Sequence, residues 1–209
     1  QNEEIVISKA SPSLTTQANP TSGTVGQTLT VSDTATMSGG SSPTGSVTFA
    51  LYSDDKCTVP VSGVSGSGAI SGGTASYSTS WTPTAAGTYY WQASYAGDAN
   101  NNAFTAKCVD TNEQIVIAKA KPSIATSATD ATGASTSVSD SATLSGGYSP
   151  TGSITFKLYG PSDTAVCTNL VFTSSAVTVS GNGTYGPVSF SPTALGSYYW
   201  IASYSGDAN

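Results

Sequence analysis

Residues 87–100, with the sequence GTYYWQASYAGDAN, return near the other end of the chain as GSYYWIASYSGDAN at residues 196–209. The chain therefore contains an internal repeat. Within each copy, aromatic and small side chains alternate to one side, with the two-residue period of a β-strand. These side chains are Tyr89, Trp91, Ala93 and Tyr95 in the first copy and Tyr198, Trp200, Ala202 and Tyr204 in the second. We predict that each copy buries this face of the strand in its core.

The remainder of each copy reads as short strands separated by turns. QTLTVSDTATMSGG (residues 27–40) matches ASTSVSDSATLSGG (residues 134–147), and SPTGSVTFALY (residues 42–52) matches SPTGSITFKLY (residues 149–159). Alternating β-branched residues predict strands in these segments, and Pro and Gly predict turns between them. The chain shows no helical period. This pattern is typical of antiparallel β-sandwiches, so we predict an all-β chain of two tandem sandwiches.

A Pro-Thr-Ala segment leads into the aromatic strand in both copies. Tyr89 follows it in the first copy and Tyr198 in the second. A tyrosine at this place can fix the corner by donating a hydrogen bond to the backbone a few residues upstream. We therefore predict a tyrosine corner in each copy.

The segment that joins the two copies also opens the chain. NEEIVISK at residues 2–9 matches NEQIVIAK at residues 112–119, and each reads as the last strand of one domain that continues through a proline into the next. The predicted domains are residues 1–114 and residues 115–209. Residues 1–8 resemble the exit strand of a preceding repeat, and the second domain lacks a counterpart of this strand.

The composition argues against several classes of function. Only 9% of the 209 residues are charged, and Ser, Thr, Gly and Ala fill surface positions, which indicates an extracellular protein. The net charge of −6 argues against a nucleic-acid partner, and no apolar run is long enough to insert into a membrane. The chain has no His to act as a base and no motif of paired carboxylates, so we predict neither enzymatic activity nor a cofactor.

Several motifs together resemble the bacterial immunoglobulin-like repeats found in tandem in large surface and secreted proteins of actinobacteria and related organisms. The resemblance rests on DTATMSGG, SPTGSVTF, the Cys57 loop, TPTAAGTYYW, YAGDANNN and KCVDTNEQIVIAK, and it covers both copies. It implies immunoglobulin-like sandwiches at an extracellular, secreted or cell-surface location. The resemblance does not identify a ligand, and the antibody pattern of tryptophan and cysteines is not met.

Cys57 and Cys108 lie at places where the resembling repeats also carry cysteines. Cys57 follows the FALY strand and Cys108 precedes the exit strand, and these strands are neighbours in a sandwich. A disulfide between them would close a loop of about 50 residues and stabilise the domain by about 4 kcal/mol. The alternative is two free buried thiols. Cys167 has no partner within the second copy, so we expect its partner outside the chain or in another molecule.

A self-made isopeptide bond is one hypothesis for chemistry within the domains. Such a bond needs a desolvated lysine, a buried acid and an asparagine. The candidates are Lys9, Asp33 and Asn100 in the first copy and Lys119 and Asp140 in the second. The competing interpretation is a lysine that reaches solvent at a sheet edge and an aspartate that caps a turn.

Calcium binding at the two GDAN loops is a second hypothesis. The candidate ligands are Asp98, Asn100, Asp207 and Asn209. Calcium takes six to eight oxygen ligands, and one aspartate with a few asparagines is a small set. The sequence therefore favours a turn in which these side chains bond their own backbone.

The predicted function is a structural stalk or spacer of an extracellular bacterial protein. Its predicted partners are neighbouring immunoglobulin-like repeats in the same chain or in adjacent subunits. One alternative is an adhesin-type binding module that uses the variable middle loops or exposed Tyr90 and Tyr199. Another is a head-to-tail filament, in which residues 1–10 donate a last strand to another molecule.

Overall fold

A computed structural model describes residues 2–110, 112–162, 164 and 166–209. The chain divides into two compact units, unit 1 ending at Ala118 and unit 2 comprising Lys119–Asn209. The described residues form strands, turns and loops, and none of them belongs to a helix long and apolar enough to span a membrane. This architecture confirms the predicted all-β fold class.

Unit 1 contains nine strands in the part of the chain that the structure describes. They are β1 (Ser13–Asn19), β2 (Ser22–Thr24), β3 (Leu29–Ser38), β4 (Ser46–Tyr52), β5 (Pro60–Ala69), β6 (Thr74–Trp81), β7 (Gly87–Tyr95), β8 (Phe104–Thr105) and β9 (Gln114–Ala118). One sheet has the order β1-β3-β6, and the other has the order β2-β9-β7-β4-β5 with β8 also paired to β7. Neighbouring strands are antiparallel except β2 and β9, which are parallel.

β7 lies inside the second sheet and carries the aromatic face predicted from the sequence. β4 pairs with one of its edges and β9 with the other. The face is buried along its whole length, at Tyr89, Trp91, Ala93 and Tyr95. Trp91 meets Tyr77 of β6 edge to face, with ring centres 6.2 Å apart. The two sheets therefore pack against each other through aromatic contacts.

β9 sets the end of unit 1. Ile115 and Ile117 of this strand are buried, whereas Val116 between them is 49% exposed. The sequence places the domain boundary between residues 114 and 115, but unit 1 ends at Ala118, because the whole of β9 pairs within its second sheet.

Both units contain a tyrosine corner. The Tyr89 hydroxyl donates a hydrogen bond to the Ala85 carbonyl at 2.9 Å, and the Tyr198 hydroxyl donates one to the Ala194 carbonyl at 3.0 Å. These bonds hold the Pro-Thr-Ala segment against the start of the aromatic strand. The prediction of two tyrosine corners is confirmed.

Unit 2 repeats this plan with seven strands in its described part. They are β10 (Ser123–Ala128), β11 (Val138–Ser145), β12 (Ser153–Tyr159), β13 (Leu170–Thr173), β14 (Val177–Thr178), β15 (Gly183–Phe190) and β16 (Tyr199–Tyr204). One sheet has the order β10-β11-β15, and in the other β12 pairs with β13, β14 and β16. Leu144, Ile154 and Phe156 lie at the centre of the core, and Trp200 packs against it while only partly buried.

Residues 2–9 form no strand in the structure, although their sequence matches β9 and the residues around it. Ile5, Val6 and Ile7 are 86%, 74% and 93% exposed. Pairing with unit 1 begins at Ala10, which bridges to Asn101. The three apolar side chains of this N-terminal segment therefore lie outside the core of their own chain.

Candidate functional site

A disulfide ties the loop after β4 to the segment that precedes β9. It joins Cys57 to Cys108, whose Cα atoms lie 5.7 Å apart, and this is the pair that the resemblance favours. Asp54 shapes the loop, because its carboxylate accepts a hydrogen bond from the Val59 amide at 2.7 Å. That bond holds the pKa of Asp54 below its ordinary value. Cys167 is exposed and belongs to no disulfide within the described residues.

The Asp98 carboxylate organises the GDAN loop of unit 1. Its Oδ1 atom accepts hydrogen bonds from the backbone amides of Asn100 and Asn101, both at 2.8 Å. Its Oδ2 atom accepts from the backbone amide and the hydroxyl of Thr44, at 2.9 and 3.0 Å. The Thr44 amide is the main reason that the pKa of Asp98 lies well below its usual range. Both oxygens are thus occupied by donors of their own loop and of the neighbouring turn.

Asp207 has the same role in unit 2. Its Oδ2 atom accepts hydrogen bonds from the Thr151 amide at 2.6 Å and the Tyr204 hydroxyl at 3.1 Å, and its Oδ1 atom accepts from the Asn209 amide at 2.8 Å. The Thr151 amide in particular lowers the pKa of Asp207. Within the described residues, no three His, Cys, Asp or Glu side chains are grouped as metal ligands. The geometry of both loops corresponds to the self-bonded turn that the sequence favours over calcium.

The structure places the two candidate isopeptide lysines at the GDAN loops. The Lys9 ammonium donates to the Asp98 carbonyl at 2.6 Å, and the Lys119 ammonium donates to the Asp207 carbonyl at 2.7 Å. Asn100 lies in the first of these loops, where its backbone carbonyl accepts from the Ala10 amide at 2.8 Å. Lysine and asparagine therefore come near each other, whereas the third member of the set lies elsewhere. The isopeptide bond stays a prediction.

That third member, Asp33, lies beside a second buried acid. Asp33 on β3 is 0% exposed, and Glu113, which directly precedes β9, is 1% exposed. Two adjacent buried carboxyls cannot both ionise at low cost. Burial, followed by the charge of Asp33, raises the pKa of Glu113 to about 8. Burial also raises the pKa of Asp33, and the neighbouring Glu113 carboxyl offsets part of that rise. At neutral pH the pair therefore holds one proton, which lies on Glu113, and both Glu113 carboxyl oxygens and the Oδ2 atom of Asp33 lack a well-formed hydrogen bond among the described residues.

Asp140 on β11 is the counterpart of Asp33 in unit 2. It is 1% exposed, and neither of its carboxyl oxygens makes a well-formed hydrogen bond among the described residues. Burial raises its pKa, and the backbone amides of Ser141 and Ser127 offset part of the rise. Leaving a buried polar group unsatisfied costs about 1–3 kcal/mol. Asp140 is therefore a point at which a further hydrogen-bond donor would stabilise unit 2.

Glu113 is the site residue that sequence reasoning missed as a buried acid. Glutamate is seldom buried unless it is paired, so the recurrence of Glu3 and Glu113 in the two copies of the segment did not by itself predict burial. The available signal is the strand alternation, which puts Glu113 on the same face as Ile115 and Ile117. An acid in phase with two core isoleucines indicates a buried partner for that acid.

Two face-to-face sheets with a tyrosine corner at the start of a central strand define an immunoglobulin-like β-sandwich. Comparison with known families agrees with this class. Residues 15–112, which make up most of unit 1, match the model of the bacterial Ig-like domain (group 3). No curated protein matches the chain. Domains of this family are structural or surface-associated modules that are typically non-enzymatic and often extracellular.

Proposed function

We propose that the chain is a load-bearing, non-enzymatic spacer of an extracellular bacterial protein. The observation that carries this proposal is the parallel pairing of β2 with β9. The chain enters unit 1 ahead of β1 and leaves it from β9, so tension along the chain pulls β2 and β9 past each other. Parallel strands under such tension share the load among all their hydrogen bonds. Antiparallel neighbours pulled from one end would lose their bonds one at a time.

The parallel pair of β2 and β9 forms a terminal clamp, and backbone hydrogen bonds hold it at both ends. The Val116 amide donates to the Thr21 carbonyl at 2.9 Å, and the Val25 amide donates to the Ala118 carbonyl at 3.0 Å. Ile117 is buried next to these bonds, and its burial keeps water away from one side of the ladder. The clamp therefore combines backbone bonds with a side chain anchored in the core.

The disulfide supports the same role once the clamp has opened. It joins residues separated by 51 positions, and an open segment of that length would extend by about 170 Å. The disulfide keeps this segment closed, so the extension of the chain stays limited even after unit 1 has unfolded. Disulfides persist in oxidising compartments, which supports an extracellular location.

Single-molecule force spectroscopy on the full chain tests the clamp. Val116→Pro removes the amide that bonds to Thr21, whereas the matched control Val116→Ala keeps this amide and removes only half-exposed methyl groups. We expect the proline variant to lower the force at which unit 1 unfolds and the alanine variant to leave that force unchanged. Unit 1 is identified by its contour length, which increases by about 170 Å when the disulfide is reduced. If Val116→Pro lowers stability in denaturant but leaves the unfolding force unchanged, the clamp proposal is wrong.

The adhesin alternative has less support. Tyr90 and Tyr199, which an adhesive face would use, are both half-buried. Of the large exposed apolar side chains, Val59 and Val109 lie in the two segments that the disulfide joins, whereas Leu195 belongs to unit 2. A ligand-binding role for the chain stays a prediction.

A further inference from the structure

We propose that Asn182 is a site of spontaneous deamidation, and that the pairing of its side chain with the Gly147 backbone keeps the reaction slow while unit 2 is folded. Asn182 stands directly before Gly183, the first residue of β15. This inference goes beyond the spacer role, because it assigns unit 2 a covalent change that requires only water.

Asn182-Gly183 is the one Asn-Gly pair in the sequence. In such a pair the backbone nitrogen of the glycine can attack the side-chain carbon Cγ of the asparagine, because glycine has no Cβ to obstruct the approach. A bond forms between that nitrogen and Cγ, the bond from Cγ to Nδ2 breaks, and ammonia leaves with the proton of the glycine amide. Water then opens the resulting cyclic imide at either carbonyl and gives aspartate or isoaspartate.

The turn that carries this pair has room for the reaction. Asn182 is exposed, so water reaches its side chain. A Cβ built at Gly181 or at Gly183 would meet no atom within 4 Å. The surroundings of the turn therefore leave space for the imide ring.

The Asn182 carboxamide makes two hydrogen bonds with a single backbone residue, and we call this arrangement the amide pair. Its Oδ1 atom accepts from the Gly147 amide at 3.0 Å, and its Nδ2 atom donates to the Gly147 carbonyl at 2.7 Å. Both bonds must break before Cγ can be attacked and Nδ2 can leave. Two exposed hydrogen bonds of this kind together shift an equilibrium by about tenfold. The amide pair should therefore slow the reaction by about that factor.

The strand ladder opposes the reaction at the same place. Gly183 lies opposite Leu144 in the pairing of β11 with β15, and the Leu144 side chain is buried. The imide takes up the backbone nitrogen of Gly183, so the first residue of β15 has to leave the ladder as the ring closes. The reaction therefore proceeds from a locally open form of the turn.

Unit 1 contains a similar amide pair without the reactive dipeptide. The Asn101 carboxamide accepts from the Ser41 amide at 2.7 Å and donates to the Ser41 carbonyl at 3.0 Å. Asn101 is fully buried, and the residue that follows it is Asn102, whose side chain obstructs its backbone nitrogen. Asn101 is therefore an internal reference that should keep its amide in the folded chain.

Deamidation would remove the amide pair from unit 2. An aspartate at this position has no N–H group to donate to the Gly147 carbonyl. Isoaspartate also places an extra carbon in the main chain, which displaces β15 relative to β11. The double-glycine turn after β11, Gly146 and Gly147, then loses its bonds to the turn before β15. Each opening that leads to reaction therefore leaves a permanent chemical mark in unit 2.

Peptide mapping by mass spectrometry tests the site and its protection. The full chain is kept in mildly alkaline buffer, with and without guanidinium chloride, and the exchange of NH₂ for OH is followed at each asparagine. We expect Asn182 to react about tenfold more slowly in the folded chain than in denaturant. In denaturant, Gly183→Ala should slow the reaction at Asn182, because the added methyl group obstructs the attacking nitrogen.

Two results of this experiment would contradict the proposal. Equal rates at Asn182 in folded and unfolded chains would overturn the protection by the amide pair. An Asn182 that keeps its amide in denaturant as long as the other asparagines would overturn the site itself.

Tyr185→Phe tests whether opening of the turn controls the rate. The Tyr185 hydroxyl accepts from the Ser180 amide at 3.0 Å and donates to the Gly181 carbonyl at 2.6 Å, so its removal loosens the turn that holds Asn182. We expect the rate at Asn182 in the folded chain to rise by up to about tenfold and the rate in denaturant to stay unchanged. The matched control Tyr198→Phe removes a hydroxyl bond from another turn of unit 2 and should leave both rates unchanged. Equal rises in the two variants would assign control to the stability of the whole unit and overturn the role of this turn.

Discussion

β7 and β16 have nearly the same sequence and different surroundings. The aromatic face of β7 is buried along its whole length. Its four equivalents in unit 2, which are Tyr198 and three residues of β16, are half-buried. The tyrosine corner and the GDAN loop are formed alike in both units, so the difference follows from β9, which covers an edge of β7. The burial of a strand in a sandwich thus depends on its neighbours as well as on its own alternation.

Removal of the central tryptophan should give the largest difference between the two strands. Trp91→Ala empties a fully buried site and should cost unit 1 about 3–5 kcal/mol of unfolding free energy. Trp200→Ala removes a half-buried side chain and should cost unit 2 about half as much. Hydrogen exchange followed by mass spectrometry, at increasing urea, measures the two units separately. Equal losses in both units would contradict the role assigned to β9.

A change in pH should produce the next largest effect, and it should do so in unit 1. The pKa of Glu113 is about 8 in the folded unit, against an ordinary value of 4.5. The folded unit therefore retains a proton that the unfolded chain releases, and its unfolding free energy should fall as the pH rises from about 4.5 to about 8. We expect a total fall on the order of 2 kcal/mol, measured by urea unfolding with exchange of β9 amides as the readout.

Glu113→Gln is the control for this pH dependence. The amide keeps the shape and a donor but cannot ionise, so the decrease between about pH 4.5 and 8 should largely disappear. The acids that oppose ionisation of Glu113 are Asp33 and Asp110, and both remain in this variant. An unchanged slope in Glu113→Gln would assign the pH dependence to other groups.

Local patterns in the sequence were sufficient to predict most of the fold. Alternation from Tyr89 to Tyr95 predicted the buried face, and the Pro-Thr-Ala segment before Tyr89 and Tyr198 predicted both tyrosine corners. These features depend on residues close together in the chain. The half-burial of Trp200 does not follow from this alternation, which is the same in both copies, because burial also depends on a neighbouring strand, and in unit 1 that strand is β9.

The candidate site was less predictable for the same reason. Asp33 and Glu113 are 80 positions apart in the sequence, and only the packing of β3 against the segment before β9 brings them together. Lys9 was expected near Asp33, but its ammonium reaches the Asp98 carbonyl, as the Lys119 ammonium reaches the Asp207 carbonyl. The recurrence of charged residues in the two copies thus pointed to Asp33 and Asp140, but it did not show which groups their carboxyls contact.

The tyrosine corners should show the smallest effect and the least difference between units. Tyr89→Phe and Tyr198→Phe each remove one hydroxyl bond to the backbone, at 2.9 and 3.0 Å, and each should cost its unit about 1 kcal/mol. Both bonds lie within a single turn before the aromatic strand, so neither depends on β9. The measurement is hydrogen exchange at increasing urea for each unit. A loss in unit 1 several times that in unit 2 would mean that β9 also supports the corner, and the influence of β9 would then extend beyond the edge that it covers.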